Sequence, residues 1–300
     1  MKLLIDELNE SERIDNYLTN VSKDLSRSKI QSKIKNGEVK VNNKTVKPSY
    51  ILKFSDIVEF EDKIIENIIE IPPENLPIEI IWEDENMAVV NKPAGILTHP
   101  TTLESRGTLV NFLLYKYGEN LSDLNGDFRK GIIHRLDRNT SGLIMIAKNN
   151  ETHEFLVNEM KNKNFNKYYK AVVKGVVEQD EFAIDAPIGR HPTQPHKQAI
   201  LEDGKDSLTL VKVLKRFKSA TLLELALITG RTHQIRVHLS SIGHPVYNDT
   251  LYGFGKVKIK TKEQVLQSYK LEFTKPFSQE RISLEIPLDE DFIKVLNYIE

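Results

Sequence analysis

Three prolines fall within the seven residues Ile71-Pro72-Pro73-Glu74-Asn75-Leu76-Pro77, and they divide the chain. Proline fixes φ and removes a backbone donor, so this density disfavours helix and internal strand alike. Charge changes sign on the approach to this stretch. Residues 23–53 carry nine Lys/Arg against two acids, a local excess of +7, whereas residues 61–85 carry nine acids against one lysine, an excess of −8. The net charge of −1 for the 300 residues conceals this segregation. A basic module over 1–60, an acidic Pro-bearing linker over 61–77 and a larger unit over 78–300 are therefore expected.

The basic module reads as a small α/β unit. Ile14, Tyr17, Leu18 and Val21 recur at the spacing of one helical face. Ser26 is placed to cap a second helix that buries Ile30 and Ile34, with Lys29 and Lys33 four apart on another face. Asn36-Gly37 stops that helix, Glu38–Val41 alternates as a strand, and Asn42-Asn43 turns the chain into a return strand from Thr45. The stretch RIDNYLTNVSKDLSRSKIQSKIKNGEVKVNNKTVKPSYILKFSDIVEF, residues 13 to 60, resembles the S4 RNA-binding domain in its LSRS, basic helix, NG-VxVN and closing D-V. The resemblance implies that the basic helix and adjoining turn meet RNA phosphates, with Arg27, Lys29 and Lys33 as contacts.

The larger unit mixes both periodicities. Strands are predicted at Ile78–Trp82 and Met87–Asn91, joined around Glu83-Asp84-Glu85, and at Leu143–Lys148 and Tyr168–Val173. Long alternating runs follow at Ser207–Leu214 and Ala220–Ile228, with last strands near Tyr269–Phe273 and Ile282–Ile286. Helices are predicted through Leu109, Phe112, Leu113 and Tyr117, from about Glu151 to Lys161, and over Gly230–Ile242. A 39% hydrophobic share allows a sizeable core. No apolar run is long enough to span a membrane, and the opening MKLLIDELNESE turns acidic too early for a secretory signal, so the cytoplasm is expected.

The chain has no cysteine. Disulfides, thiolate nucleophiles and thiolate metal sites are excluded together, and any covalent chemistry must use oxygen or nitrogen. The densest group of reactive side chains is Gly131-Ile132-Ile133-His134-Arg135-Leu136-Asp137-Arg138-Asn139-Thr140-Ser141-Gly142-Leu143. The surrounding cations would hold Asp137 ionised, which suits a nucleophile or base. A carboxylate capping the Thr140-Ser141 turn fits the same residues. His233 and His238 are five apart, the wrong spacing for a metal pair on one helical face.

Within that run, HRLDRNTSGL resembles the signature of the RluA/RluD-type pseudouridine synthases. Three further stretches match in order: VVNKPAGILTHP at 89–100, KYYKAVVKG at 167–175, and TGRTHQIRVHL at 229–239, followed by Gly243-His244-Pro245-Val246 and Asp249 through Tyr252-Gly253. The resemblance implies that Asp137 acts at C1′ of a uridine. The N1–C1′ bond breaks, the uracil turns, C5 bonds to C1′ and its hydrogen leaves. Such an isomerisation needs no cofactor or metal. The resemblance further makes Tyr169, rather than Tyr168 on the opposite strand face, the residue that stacks on uracil and helps remove the C5 proton. It makes Arg236 the partner of Asp137, in a bidentate pair that would keep the carboxylate charged. Arg135 fills the space left by the flipped base. His134 and Thr140 are assigned to RNA contact. On a helix over 231–242 with Ile235, Leu239 and Ile242 as its buried stripe, Arg231 and Arg236 would lie roughly 140° apart. Arg231 is therefore assigned to a phosphate or local backbone role. Asn248 stands where the family usually has glycine, which leaves that loop's conformation open.

The expected fold class is α+β: an S4-like domain plus a catalytic domain on a mixed, largely antiparallel β-sheet flanked by helices and loops. The expected partner is RNA, large-subunit ribosomal RNA before tRNA, and the expected state is a monomer. Two rival readings are a non-catalytic RNA-binding or ribosome-assembly factor and a glycosidase-like hydrolase, which would require a second carboxylate.

Overall fold

The computed structural model describes residues 2–5, 10–22, 25–60, 71–101, 104–194, 196–253, 261 and 263–300. The chain forms two compact units, Met1–Ile68 and Ile69–Glu300. In the first, β1 (Lys2–Leu4), α1 (Ile14–Val21), α2 (Arg27–Lys35), β2 (Val39–Val41), β3 (Lys44–Thr45) and β4 (Ile57–Phe60) follow in order. The strands form an antiparallel sheet in the order β1-β4-β2-β3. Ile14, Leu18, Ile30 and Ile34 from the helices bury against Val39, Val41, Val58 and Phe60 from the sheet. Val21, expected on the buried face, is 38% exposed at the end of α1.

Gly37, at φ +78°, ends α2 in a Schellman arrangement. Its N–H donates to Ile34 O, and the N–H of Glu38 donates to Lys33 O. Asn42 and Asn43, at φ +50° and +62°, form the two-residue turn between β2 and β3, which requires positive φ at both positions. Ser26 occupies the N-cap position of α2, but its side chain makes no capping bond.

The second unit contains β5 (Glu79–Glu83), β6 (Met87–Lys92), α3 (Leu109–Tyr117), β7 (Ser141–Ala147), α4 (Asn150–Lys161), β8 (Asn166–Lys174) and β9 (Glu181–Asp185). It continues with β10 (Ile188–Arg190), β11 (Gln198–Ile200), β12 (Leu208–Arg216), β13 (Ala220–Leu227), α5 (Gln234–Ser241), β14 (Leu266–Thr274), β15 (Arg281–Glu285) and α6 (Glu290–Ile299). The large sheet runs β5-β6-β7-β14-β8-β13-β12-β9, with β15 also on β14, and among the described residues its one parallel pairing is β7 with β14. The sheet is thus mixed and largely antiparallel, in an α+β molecule.

Strand alternation sorts the core onto two faces. Val90, Ile144, Ile146, Tyr169, Ala171, Leu223 and Leu225 face α3 and α5. Val89, Leu143 and Met145 pack with Leu156 of α4, while Val172 packs with Phe292 and Val295 of α6. The proline stretch, expected to be linker, lies along α3. Glu74 N–H donates to Asn111 O, Asn111 Nδ2 donates to Pro72 O at 2.8 Å, and Ile71 and Leu76 pack on the core. Prolines satisfy such an arrangement because an extended segment beside a helix needs few backbone donors. The acidic run 61–70 lies outside the described residues. Among the described residues no helix is long and apolar enough to cross a membrane.

Candidate active site

Asp137 ends a loop that enters β7, and Gly142 fixes where that strand runs. A Cβ at Gly142 would stand 2.1 Å from Ser268 O, and its φ of +116° favours glycine. The close approach lets β14 pair in parallel with β7 immediately after the loop. The segment at 92–98 clamps the loop from both sides of Asp137. Thr98 Oγ1 donates to Leu136 O at 2.8 Å, while Lys92 Nζ donates to Arg138 O at 3.1 Å and to Pro93 O and Ile96 O at 2.9 Å. Burial pulls the fully enclosed Lys92 ammonium down to about 7, against the opposing charge of Asp137.

α5 supplies the counter-charge. Arg236 Nη1 donates to Asp137 Oδ2 at 3.0 Å, as a single bond. The expected bidentate pair is formed with Asp249 instead, through Nε–Oδ2 at 2.7 Å and Nη2–Oδ1 at 3.0 Å. Asp249 is buried and also accepts the N–H groups of Leu251 and Tyr252. A planar guanidinium has donors for both acids, and the enclosed one takes the fork. Burial alone would lower the Arg236 guanidinium, but the two carboxylates override it and raise it. Burial would likewise raise Asp249, and Arg236 holds it below the usual carboxylate range.

The sequence marked Asp249 only as part of a motif. Its signal was the neighbouring Asn248, which adopts φ +60°, a conformation open to glycine or asparagine. Asn248 Nδ2 fastens the turn to Thr261 O, Thr261 Oγ1 and Glu263 O.

The helix carrying Arg236 starts at Gln234 rather than Gly230 and ends before Ile242, which is 39% exposed. His233 precedes it at φ +57°, and the Gln234 side chain accepts from Thr229 Oγ1 and Arg231 N–H. Those bonds hold 229–233 as a non-helical turn. Arg231 therefore lies outside the helix, its Nε donating to Asp206 O at 3.1 Å. His233 Nε2 stands 3.9 Å from Asp137 Oδ2. The Tyr252 hydroxyl accepts Gln198 N–H at 2.8 Å and shares a hydrogen bond of 2.9 Å with His233 Nδ1, which orients the imidazole so that Nε2 faces Asp137. The Tyr252 ring also lies beneath the Arg236 guanidinium, 5.0 Å away.

Asp137, His233 and Arg236 line a cavity of about 540 Å³ together with Arg135, Thr140, Lys167, Tyr169 and Arg231. Tyr169 is buried in its wall. Burial raises its phenol, Ser268 opposes through a hydrogen bond, and the charge of Asp137 adds to the rise. Tyr168 points away, toward Glu272 and Lys270. Arg135 is exposed at the cavity. Thr140 is buried and accepts from Gln264 Nε2 at 2.8 Å. His134 also lines the cavity: its Nε2 accepts Met145 N–H at 3.0 Å, its Nδ1 is buried, and burial pulls it down to about 3. Among the described residues no three His, Asp or Glu side chains are grouped to hold a metal.

In the first unit, Lys29 is exposed, but the other two basic candidates are engaged. Arg27 reaches buried Asp15 through Nη2 at 3.1 Å, and Lys33 Nζ bonds Glu38 Oε2 at 2.8 Å. Asp15 also accepts from Arg13 and Gln31. Hydrogen bonds from Arg13 outweigh burial and hold its carboxyl well below the usual range.

The family model described as RNA pseudouridylate synthase matches residues 86–241, and the S4 domain model matches 12–58. An uncharacterised RNA pseudouridine synthase of Aquifex aeolicus is 42% identical over 301 residues, covering 97% of this chain and 95% of that protein. Ribosomal large subunit pseudouridine synthase D of Pseudomonas aeruginosa is 36% identical over 303 residues, covering 96% and 92%. The solved structure of human RNA pseudouridylate synthase domain containing 1 superposes with a TM-score of 0.59 at 25% identity, covering 76% of this chain and 96% of that one.

Proposed function

We propose that this chain, which belongs to the RNA pseudouridylate synthase family, isomerises a flipped uridine of large-subunit ribosomal RNA in the cytoplasm, with Asp137 acting at C1′. The observation that carries the reading is the Asp249–Arg236–Asp137 relay, in which buried Asp249 backs the Arg236 and Asp137 that line the cavity. Asp249 and Asp137 both charge-pair with Arg236, and Asp137 shares only its Oδ2. Among the described residues Oδ1 receives no protein donor, which leaves it as the oxygen to approach C1′. A preorganised carboxylate of this kind spends no reorganisation energy as positive character develops on the sugar.

Tyr169 faces the same space as a neutral phenol, because its raised pKa disfavours the phenolate. It stacks on the uracil and serves as a hydrogen-bonding partner in C5 deprotonation rather than as an anionic base. Arg135, exposed at the cavity, is placed to take the gap left in the RNA stack. The preference for large-subunit ribosomal RNA rests on the names of relatives such as the Pseudomonas aeruginosa protein and on the S4 match. A hydrolase would need Asp249 as its second acid, and both oxygens of Asp249 are occupied by Arg236 and backbone N–H groups. Pseudouridine mapping in wild-type and deletion strains tests the substrate. Loss of one or more large-subunit ribosomal sites on deletion is expected, whereas a change confined to tRNA would overturn the assignment.

A further inference from the structure

Lys167 stands in the wall of the Asp137 cavity, two residues before Tyr169 on β8. Residues i and i+2 of a strand share a face and lie about 7 Å apart, so both side chains serve the same space. Lys167 is the outer of the two. Lys161 and Lys163 before it are exposed, Lys167 is partly covered, and Tyr169 is buried. Its ammonium lies 5.6 Å from the centre of the Phe165 ring, and a Cβ added to Gly230 would stand 3.4 Å from it. Among the described residues no carboxylate or hydrogen-bond acceptor pairs with it, and burial alone pulls it down to about 8. Its titratable neighbour His134 is neutral. Asp137 is already bound to Arg236.

A half-covered cation without an anionic partner lowers stability, and an incoming ligand can supply the missing negative charge. In a nucleotide the base and the phosphate lie on opposite sides of the sugar. With the base against Tyr169 and C1′ at Asp137, the phosphate is carried outward, to the depth of Lys167. We propose that Lys167 binds a backbone phosphate of the nucleotide whose base enters the cavity, and so sets how far that nucleotide is drawn in. The exposed Lys161 and Lys163 continue the same basic path toward the surface. This inference rests on the reading of the cavity as the uridine site.

The test compares wild type, Lys167→Met and Lys167→Arg on a large-subunit ribosomal RNA transcript, reading pseudouridine formation across a salt series. Lys167→Met is expected to lower kcat/KM about tenfold at low salt, the scale of one charge-assisted contact. It should also make the slope of log(kcat/KM) against log salt shallower by about 0.7, the share of one phosphate on a single strand. Lys167→Arg should stay near wild type, and the melting temperature of Lys167→Met should be unchanged or higher. Equal activity of Lys167→Met and wild type would overturn the phosphate anchor, as would a loss with an unaltered salt slope or a lowered melting temperature. Failure of the wild type itself to convert the transcript would instead overturn the uridine reading, and the anchor with it.

Discussion

Asp137 is held at one oxygen and open at the other, and the hold comes from a residue that itself depends on Asp249. Removing one member of a buried charge pair leaves the other uncompensated. Asp249→Asn is therefore expected to lose roughly 3 kcal/mol of stability in urea titrations and to slow single-turnover conversion far more than it weakens RNA binding. Unchanged turnover would show that Arg236 keeps Asp137 in place unaided. His134 carries a second prediction. Its folded pKa of about 3 lies below the ordinary value near 6.5, so between those values the unfolded chain takes up a proton that the folded chain refuses. The unfolded state binds more protons there, so stability is complete above about pH 6.5 and falls toward pH 3 by up to ~1.4 kcal/mol per pH unit. His134→Gln, which keeps an acceptor for Met145 N–H, should show a shallower acid limb in pH-resolved denaturation. An identical limb would assign the acid sensitivity elsewhere.

At the scale of elements, the strand that follows Asp137 can lie against β14 only because residue 142 has no side chain. Gly142→Ala would bring a methyl group onto Ser268 O and strain φ, at a cost on the order of 3 kcal/mol. Thermal unfolding measures it, and a melting temperature equal to wild type would mean that the β7–β14 contact yields easily. Hydrophobic patterning located β6, β7, β8, β13 and α4 to within about two residues, β6 and β7 as short apolar runs buried on both faces and α4 as an amphipathic helix. It overextended α5, since the bonds from Gln234 that stop the helix at its start are made by a side chain that looks helical in sequence. It missed β9, which pairs with β12, and the three-residue strands β10 and β11, which pair with each other and are too short to show an alternation. It also passed over α6, although Asp289 caps it and Phe292 and Val295 mark its buried side.

Across the whole molecule, the chain divides into Met1–Ile68 and Ile69–Glu300, and the proline stretch makes its hydrogen bonds within the second unit. The site was legible as a set of motifs but not as a wiring diagram. Asp137, Tyr169 and Arg236 are brought to one cavity from three different elements, yet the bidentate partner of Arg236 and the clamp by Lys92 and Thr98 depend on distances that no spacing encodes. Arg27 and Lys33 read as free cations because their partners, Asp15 and Glu38, are identified only by the fold. The account turns on the carboxylate of Asp137, and Asp137→Asn tests it most directly because it keeps the side chain's shape. Assayed on large-subunit ribosomal RNA beside the wild type, the variant should bind the RNA and melt as a folded protein while forming no pseudouridine. Pseudouridine formed by Asp137→Asn at a rate within tenfold of wild type would contradict the account.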